Sequence, residues 1–349
     1  MRIGIAAFTE RGGQLGRFLL EEYGRAGYEA EGFLSERHRM ENMQPFSDLG
    51  SATRLMFERE DMIVFVGACG IAVRAIAPYI KDKLHDPGVV VVDECGRHVI
   101  SLLSGHVGRA NDFTEYTARI LDGEPVITTA TDSRGLFAAD QWAVRNRLHI
   151  VNPQTVKEIS SRILAGERVG FFSEFPFAGE LPAELTMENG EIEKEEVEAG
   201  IAVSCENTYH HRFPVTLALM PKDLTVGIGC KSGKTVSELH DFLCQIFERY
   251  HLRTERIGKI CSVSVKAREE GLIRLAQALG VPFETYTPGQ LSQLEGDFAA
   301  SEFVRAKIGV DNVCERSACF GSGGRKLVGR QTGSGMTIAV YERQTILFF

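Results

Sequence analysis

The sequence predicts an α/β protein with an N-terminal open, mostly parallel sheet with helices, a small central segment and a second α/β C-terminal domain. Short, nearly continuous apolar runs such as Met62–Val66 and Val89–Asp93 are typical of strands that are buried on both faces. These runs alternate with amphipathic segments, which is the pattern of a parallel sheet covered by helices. The 349 residues fit about two or three domains. We expect these domains to span 1–140, 141–222 and 223–349.

Charge and composition limit the classes of partner. The chain has 39 Lys and Arg residues against 47 Asp and Glu residues, so its net charge is −8. An acidic chain has no general electrostatic reason to bind nucleic acid or an anionic membrane. The sequence shows no secretory leader and no apolar run of roughly 18 residues. Its eight cysteines form no CxxC pair, which is typical of reduced thiols. We therefore predict a cytoplasmic protein that binds neither nucleic acid nor a membrane.

The N-terminal half has the clearest alternation of strands and helices. Arg2–Phe8 predicts the first strand, and Gly12, Gly13 and Gly16 predict a glycine-rich loop before the first helix. The turn Glu94–Gly96 predicts a hairpin between the strands that flank it. The other elements predicted in this half are the strands Met62–Val66, Val89–Asp93, His98–Leu103 and Pro125–Thr129, and the helices Ile71–Ile80 and Ala110–Leu121.

The remainder of the chain continues this alternation after a change of composition. Glu180–Glu198 is rich in glutamate and predicts a solvated excursion or an exposed hairpin. Pro221–Asp223 is the predicted boundary before the C-terminal domain. The other predicted elements are the helices Gln154–Leu164, Val236–Tyr250, Arg268–Leu279 and Glu302–Ile308, a strand between Pro214 and Pro221, and the strands Val169–Phe175, Leu224–Gly229, Lys259–Val265, Val281–Thr285 and Met336–Glu342.

Turn-forming or polar residues follow four of the predicted strands. These strand ends comprise residues 67–70, 93–96, 104–108 and 128–132. In open α/β sheets, ligands gather beyond the carboxyl ends of the strands and against the N-termini of helices. We therefore expect the four strand ends to converge on one edge of the sheet and to form a shared ligand site.

His106 is the strongest candidate for a proton-transfer group at this site, because an imidazole titrates near the pH at which enzymes work. Asp93 or Glu94 is the candidate that orients this imidazole or activates water. Ser104 lacks the Gly-x-Ser-x-Gly context of a hydrolase nucleophile, which argues against covalent catalysis.

Each of these residues also has a structural interpretation. Asp93 and Glu94 are suited to cap a turn, and Asn111 is suited to cap the helix that begins beside it. Arg74 either faces solvent or pairs bidentately with a ligand carboxylate.

The segment Gly229–Thr235 resembles a phosphate-binding loop without matching one. The pattern G-x-x-x-x-G-K-[ST] requires a glycine where this chain has Ile228, so we do not expect ATP to bind there. Lys231 and Lys234, close to a predicted helix start, could still attract an anion. Glu315 lies in an apolar turn, and its most direct interpretation is structural. The sequence contains no H-x-x-x-H motif and no cluster of Cys and His, so it offers no support for a catalytic metal bound by the protein.

Several long motifs together resemble the cobalamin biosynthesis protein G family. In the first half they are residues 67–79, 83–96, 102–106 and 128–132, and in the second half they are residues 226–230, 266 with 269–272, 310–315 and 336–339. The chain is similar to this family nearly from end to end and in the same order. It departs from the family at Arg109, where the usual S-G-H-x-G-G-A-N has its second glycine, at 316–320, and at Arg330, where a lysine is usual.

The resemblance implies the cobalt-precorrin-5A hydrolase reaction of the anaerobic cobalamin pathway. In this reaction a lactone on a cobalt tetrapyrrole is opened, and the methylated meso carbon leaves as acetaldehyde. The cobalt travels with the substrate, so no cofactor and no metal site of the protein are expected. With His106, Asp93 and Glu94 as the catalytic candidates, we predict that the substrate contacts Gly67, Gly70, Arg74, Ser104, Gly105, Arg109, Asn111, Thr131, Asp132, Gly229, Lys231, Lys234 and Glu315.

Two alternatives remain open from the sequence. The first is a non-catalytic corrinoid-binding or handover protein, and the second is a nucleotide-dependent enzyme built on Gly229–Thr235. The expected partner of both the hydrolase and the handover protein is the cobalt-containing tetrapyrrole. The resemblance is also compatible with a homodimer, or with transient contact with neighbouring methyltransferases of the pathway.

Overall fold

The computed structural model describes residues 1–82, 85–188, 197–206, 212–300, 302 and 309–349. The predicted helix Glu302–Ile308 lies outside the described residues except for its first residue, as does the central part of the glutamate-rich excursion. The described chain forms two compact units, Met1–Gln141 and Trp142–Phe349. None of the described helices combines the length and the apolar character that a membrane crossing requires.

The first unit is built on a seven-stranded sheet with the strand order β3-β2-β1-β4-β5-β6-β7. Neighbouring strands are parallel except β5 and β6, which pair antiparallel, so β6 and β7 run opposite to the other five. The open, mostly parallel sheet and its hairpin are therefore confirmed. Its strands are β1 (Arg2–Ala7), β2 (Glu29–Ser35), β3 (Met43–Phe46), β4 (Met62–Val66), β5 (Gly88–Val92), β6 (His98–Leu103) and β7 (Glu124–Val126).

Helices cover both faces of this sheet, which is why its central strands are apolar throughout. Every residue of β4 and of β5 is buried. One face packs against the first and fourth helices through side chains such as Leu19 and Phe113, and the other packs against the second and third through Met56 and Ile76. The helices are α1 (Glu10–Arg25), α2 (Leu49–Arg59), α3 (Cys69–Ile76), α4 (Ala110–Leu121), α5 (Ala130–Ser133) and α6 (Ala139–Arg145).

The predicted glycine-rich loop after β1 is wrong, because α1 begins immediately at Glu10. The side chain of Thr9 caps this helix and accepts a hydrogen bond from the backbone N–H of Gly12 at 3.0 Å. Gly13 packs so closely on the sheet that an added Cβ would approach Leu34 to 3.0 Å. The glycines therefore serve close packing of helix on sheet, at a cost in helix propensity.

The second unit contains two five-stranded sheets and one two-stranded sheet. Their orders are β11-β9-β12-β13-β8, β16-β15-β14-β18-β17 and β10-β19. The strands are β8 (Leu148–Ile150), β9 (Val169–Ser173), β10 (Phe177–Ala178), β11 (Leu185–Met187), β12 (Ala199–Val203), β13 (Val215–Pro221), β14 (Leu224–Cys230), β15 (Ile257–Val263), β16 (Phe283–Tyr286), β17 (Arg325–Gly333), β18 (Met336–Glu342) and β19 (Leu347–Phe348).

Helices also flank the sheets of this unit, as the sequence predicts for an α/β C-terminal region. They are α7 (Thr155–Leu164), α8 (Val236–Arg249), α9 (Glu270–Ala278), α10 (Pro288–Ser292) and α11 (Cys314–Ser322). Leu239 and Leu272, on α8 and α9, pack with Val226 of β14 in one core. On α11, the carbonyl of Cys314 lies so close to β14 that any side chain at Gly227 would collide with it, which explains a glycine in this buried strand.

Candidate active site

The direction of β6 decides which strand ends share an edge of the first sheet. In the β5–β6 hairpin Val92 pairs with Val99, and Val89 pairs with Leu103. The end of β6 therefore lies beside the beginning of β5, and a Cβ on Gly88 would collide with the carbonyl of Gly108. A six-residue strand spans about 20 Å, so the two ends of the hairpin are well separated.

The four polar strand ends consequently form two groups. Residues 67–70 and 93–96 follow β4 and β5 at one edge, and residues 104–108 and 128–132 follow β6 and β7 at the opposite edge. The prediction that all four converge on one edge is wrong. Its physical reason is the hairpin itself, because antiparallel neighbours have their carboxyl ends at opposite edges.

His106 lies between two carboxylates at the second edge. Its Nδ1 is 2.9 Å from Oδ1 of Asp140, and its Nε2 is 2.7 Å from Oδ2 of Asp132. The side chain of His106 is 13% exposed, that of Asp140 9% and that of Asp132 23%. The cluster is thus mostly shielded, and Asp132 is its most accessible member.

The two carboxylates determine the protonation of His106. Burial by itself disfavours the charged imidazole, but the hydrogen bonds and negative charges of Asp140 and Asp132 outweigh it and raise the pKa of His106 to about 9. At neutral pH the ring is therefore an imidazolium that donates from both nitrogens. The prediction that His106 is the base that deprotonates water does not fit this state, because a base must be unprotonated.

Asn111 connects β6 to the segment after β7 and supports Asp132. Its Oδ1 accepts a hydrogen bond from Ser101 at 2.6 Å, and its Nδ2 donates to Thr129 at 3.1 Å and to Oδ2 of Asp132 at 3.2 Å. Its interpretation as a helix cap is wrong, because α4 begins after Arg109 and no side chain caps it. Asn111 is only 2% exposed, and it fixes the carboxylate that it contacts.

Asp132 presents one oxygen to its surroundings. Its Oδ2 accepts hydrogen bonds from His106 and Asn111, and the hydroxyl of Thr131 lies 3.5 Å away. Its Oδ1 has no hydrogen-bond donor in the described part of the chain. A carboxylate held on one oxygen and open on the other is suited to accept a proton from a water molecule.

Asp93 and Glu94 lie at the other edge and do not orient His106. The carboxylate of Asp93 caps the hairpin turn, accepting from the backbone N–H of Cys95 at 2.8 Å and of His98 at 2.5 Å. Glu94 accepts a hydrogen bond from Thr9 at 2.6 Å. The predicted pairing with His106 is therefore corrected, and the residues that hold the imidazole are Asp132 and Asp140.

Gly67, Gly70 and Arg74 also belong to this other edge. The N–H of Gly67 donates to the carbonyl of Val92, and its φ of +153° is a backbone conformation that favours glycine. Arg74 is exposed and its guanidinium donates to the carbonyl of Gly70 at 3.0 Å. The described residues here include no buried cluster of titratable groups comparable to that of His106.

The turn before α4 places the remaining residues of the S-G-H motif. Ser104 has a φ of +55°, and its hydroxyl oxygen is buried without a hydrogen-bond partner among the described residues. A Cβ on Gly105 would lie 2.6 Å from Oδ1 of Asn111, so glycine is required there. Arg109 has a φ of +60°, and its side chain is 57% exposed and 3.8 Å from Asp112. Glycine adopts this left-handed backbone without the strain that a side chain adds at Arg109.

The predicted anion loop lies in the second unit, where carboxylates of the protein accept hydrogen bonds from Gly233, Lys234 and Thr235. Glu238 forms a capping box with Thr235 and pairs with Lys234 at 2.6 Å. The N–H of Gly233 donates to Glu269 at 2.8 Å. Lys231 is exposed. The carbonyl of Gly229 accepts from the hydroxyl of Thr337 at 3.3 Å.

Glu315, also in the second unit, has the structural role expected of a buried carboxylate. It is 2% exposed and accepts hydrogen bonds from Asn312 and from the backbone N–H of Ala299 and Arg330, and it pairs with Lys326 at 3.2 Å. Burial opposes its charged form, but these contacts hold its pKa below the ordinary value.

Sequence reasoning missed Asp140, which the structure places against His106. It lies in the short helix α6 and follows no strand, so no strand-end pattern marks it. The described residues contain no group of three or more His, Cys, Asp or Glu side chains arranged to hold a metal ion. A shielded histidine between two carboxylates, at the edge of an α/β sheet, is an arrangement typical of the acid–base sites of α/β enzymes.

Three family models match the chain in order. They describe the cobalamin synthesis G N-terminal region over residues 51–132, the cobalamin biosynthesis central region over 137–221 and the cobalamin synthesis G C-terminus over 224–341. The His106 cluster without Asp140 falls within the first of them.

Curated relatives cover almost the whole chain. The cobalt-precorrin-5A hydrolase of Salmonella typhimurium is 36% identical over 88% of this chain and 90% of its own length. That of Priestia megaterium is 28% identical over 96% and 93%. A solved cobalamin biosynthesis protein G homolog from Sulfolobus solfataricus is 22% identical with a TM-score of 0.44, covering 97% and 96%. The chain belongs to the cobalamin biosynthesis protein G family.

Proposed function

We propose that the chain hydrolyses cobalt-precorrin-5A to cobalt-precorrin-5B and acetaldehyde in anaerobic cobalamin biosynthesis. Family membership supports this reaction, because two relatives that span the chain are named cobalt-precorrin-5A hydrolase. The structural observation that carries it is the hydrogen-bonded series Asp140–His106–Asp132 at the edge formed by two family motifs. A handover protein without catalysis is not favoured, since it would need no such proton-transfer cluster.

Asp132 is the group that we assign to activate water. Its Oδ1 accepts a proton as the water oxygen adds to the lactone carbonyl. Collapse of the tetrahedral intermediate breaks the acyl C–O bond, and the proton passes from Asp132 to the departing oxygen on the meso carbon. The lactone thereby becomes a carboxylic acid and the meso carbon becomes an alcohol that is still bonded to the macrocycle. The alcohol then loses its proton and forms the C=O bond of acetaldehyde as the carbon–carbon bond between the meso carbon and the macrocycle breaks. The electron pair of that bond stays on the macrocycle, which takes up a proton, so that water and the lactone are converted to the acid and acetaldehyde.

His106 and Asp140 act on this step through Asp132. The imidazolium of His106 donates to Oδ2 of Asp132 and fixes its orientation, while Asp140 holds the opposite ring nitrogen. The backbone N–H groups of Gly105 and His106 are candidate donors to the oxyanion, because no acceptor among the described residues contacts them. Residues 67–70 lie at the opposite edge, so their N–H groups do not face the same oxyanion.

The cofactor, the cellular location, the oligomeric state and the domain bounds are inferred separately from the reaction. We infer that the substrate brings its own cobalt and that the protein needs no further cofactor. The absence of nucleic-acid partners, a cytoplasmic location, and a homodimer or a transient contact with pathway methyltransferases also remain predictions. The division into 1–140, 141–222 and 223–349 remains one as well.

Turnover of cobalt-precorrin-5A tests the reaction and the site together. The parent protein is expected to release acetaldehyde in proportion to substrate consumed. Asp132→Asn removes the proton acceptor and is expected to lower turnover by roughly 10²–10⁴. Asp93→Asn is the matched control, because it changes the same residue type at the opposite edge, and it should retain turnover within about twofold.

Two results would contradict the proposal at different levels. Substrate binding by the parent without acetaldehyde release would favour the handover protein. Full turnover by folded Asp132→Asn would leave the reaction in place and remove Asp132 from the site.

A further inference from the structure

Three cations of the second unit lie close together at the junction of β13 and β14. The N–H of Lys222 donates to the carbonyl of Arg147 at 2.9 Å, and the N–H of Arg343 donates to the carbonyl of Asp223 at 3.1 Å. Lys222 and Asp223 are consecutive residues between the two strands. The backbone therefore brings Arg147, Lys222 and Arg343 into one region, although they are distant in sequence.

Among the described residues no carboxylate forms an ion pair with these three side chains, although Asp223 attracts Arg343 and Glu284 attracts Arg147 at longer range. In the ranges that the structure describes, none of them makes a side-chain hydrogen bond or an ion pair, and Nε of Arg343 is buried with no acceptor. Burial and the charge of Arg147 lower the pKa of Arg343, and burial lowers that of Lys222. Burial and the charge of Lys222 likewise lower the pKa of His149. Arg147 and Arg343 thus repel each other, and Lys222 disfavours a positive charge on His149.

The carboxylates nearby are already used by other cations. Asp223 accepts a bidentate pair of hydrogen bonds from Arg256 at 3.0 and 2.7 Å. Glu342 pairs with Arg256 as well, and with Arg325 at 2.7 Å. Glu284 pairs with Lys259 at 2.9 Å.

A buried hydroxyl close to Arg343 in sequence is also unsatisfied. Thr345 is 7% exposed, and its Oγ1 has no hydrogen-bond partner among the residues described. Buried polar groups nearly always have a partner, so an orphaned guanidinium nitrogen and an orphaned hydroxyl two residues apart require an explanation. A bound anion with several acceptor oxygens supplies it.

We infer that Arg147, Lys222 and Arg343 form a binding site for a carboxylate of the ligand. Guanidinium groups match the planar geometry of a carboxylate and bind it with charge-assisted hydrogen bonds. The identity of the ligand rests on the proposed function, in which the tetrapyrrole carries acetate and propionate groups on its rim. The site thus deepens that function by naming residues that recognise the substrate's periphery and take no part in the chemistry.

Porphyrin titration tests the site without relying on turnover. Uroporphyrin carries acetates and propionates, whereas coproporphyrin has methyl groups in place of the acetates. Binding is read as quenching of the fluorescence of Trp142, the single tryptophan of the chain. The test variant is Arg147→Gln with Lys222→Gln and Arg343→Gln. The control is Lys157→Gln with Arg249→Gln and Arg274→Gln, which removes three exposed positive charges elsewhere in the unit.

At low ionic strength the test variant should bind uroporphyrin about tenfold more weakly than the parent protein, and the control less than about twofold more weakly. Arg147→Gln alone alters an exposed side chain, and it should weaken binding about two- to threefold. With cobalt-precorrin-5A, the test variant should raise KM and leave kcat unchanged.

Equal losses in the test and control variants would overturn the site, because they would reflect net charge alone. Unchanged uroporphyrin affinity in the test variant would also overturn the site. So would inorganic phosphate that stabilises the parent protein against unfolding but leaves its affinity for uroporphyrin unchanged. If the parent binds uroporphyrin through these residues and releases no acetaldehyde, the proposed function fails while the site stands.

Discussion

The two ends of the β5–β6 hairpin contain the same residue types in different surroundings. At the turn, Asp93 lies 3.3 Å from Nδ1 of His98, whose side chain is 53% exposed. At the opposite end, His106 is 13% exposed and is held by Asp132 and Asp140. A pair of Asp and His is therefore no site by itself, and its surroundings decide what it can do.

The comparison shows what burial adds to such a pair. Although burial opposes it, the backbone N–H groups of His98 and Cys95 hold the pKa of Asp93 below its ordinary value. That carboxylate serves the turn. At the other end no backbone N–H of the described residues donates to Oδ1 of Asp132. The negative charges of Asp132 and Asp140 both act on the shielded imidazole of His106.

Replacing each histidine in turn should separate the two ends most strongly. His106→Ala removes the group that orients Asp132, and it should lower turnover of cobalt-precorrin-5A by roughly 10²–10⁴. His98→Ala should retain turnover within about twofold. Acetaldehyde release measures the turnover of both variants. Parental turnover in both of them would show that neither histidine contributes to catalysis.

The pH dependence of stability should also differ between the ends. The folded-state pKa of His106, about 9, exceeds its ordinary value of 6.5. Its stabilising contribution is therefore complete below pH 6.5 and is lost as the pH rises through 9, with a size on the order of 3 kcal/mol. Urea unfolding across this window should show a steeper loss for the parent than for His106→Gln. His98→Gln, the control, should follow the parent.

The backbone at the two ends offers the smallest test. Both ends have a residue in the left-handed conformation, Gly96 with a φ of +70° and Arg109 with a φ of +60°. Gly96→Ala should destabilise the fold by about 1 kcal/mol, and Arg109→Gly should stabilise it by up to about 1 kcal/mol. Thermal unfolding measures both, and a loss of stability in Arg109→Gly would show that the arginine side chain compensates its own strain.

The sequence predicts the central strands of the first sheet well, because their pattern is local. Met62–Val66 and His98–Leu103 have the predicted bounds, and so does α4. The sequence analysis misses β2, α2 and β3. Their sequences are polar and irregular, and neither the period of a strand nor that of a helix stands out in them. Their apolar residues, such as Phe33 and Met43, are buried only through long-range packing.

The candidate site is predicted less completely than the fold. His106, Asn111 and Asp132 are selected from motifs at strand ends, and the structure brings them together. Asp140 is 34 residues from its partner His106 and follows no strand. A contact of this kind depends on how α6 returns to the sheet, which no local pattern encodes. Asp93 and Glu94 are wrong as partners of His106, because the antiparallel pairing of β5 and β6 places them at the opposite edge of the sheet.

The Gly229–Thr235 loop has a consequence for competition between anions. Glu238 and Glu269 are permanently tethered beside it and already hold its donors. A tethered carboxylate acts at an effective concentration of about millimolar or above, so a dilute free anion competes poorly with it. The loop therefore already has its anions bound, and they belong to the same chain. Lys231 is exposed and has no such contact with Glu238 or Glu269, so it is the cation of this loop that stays available to a ligand carboxylate.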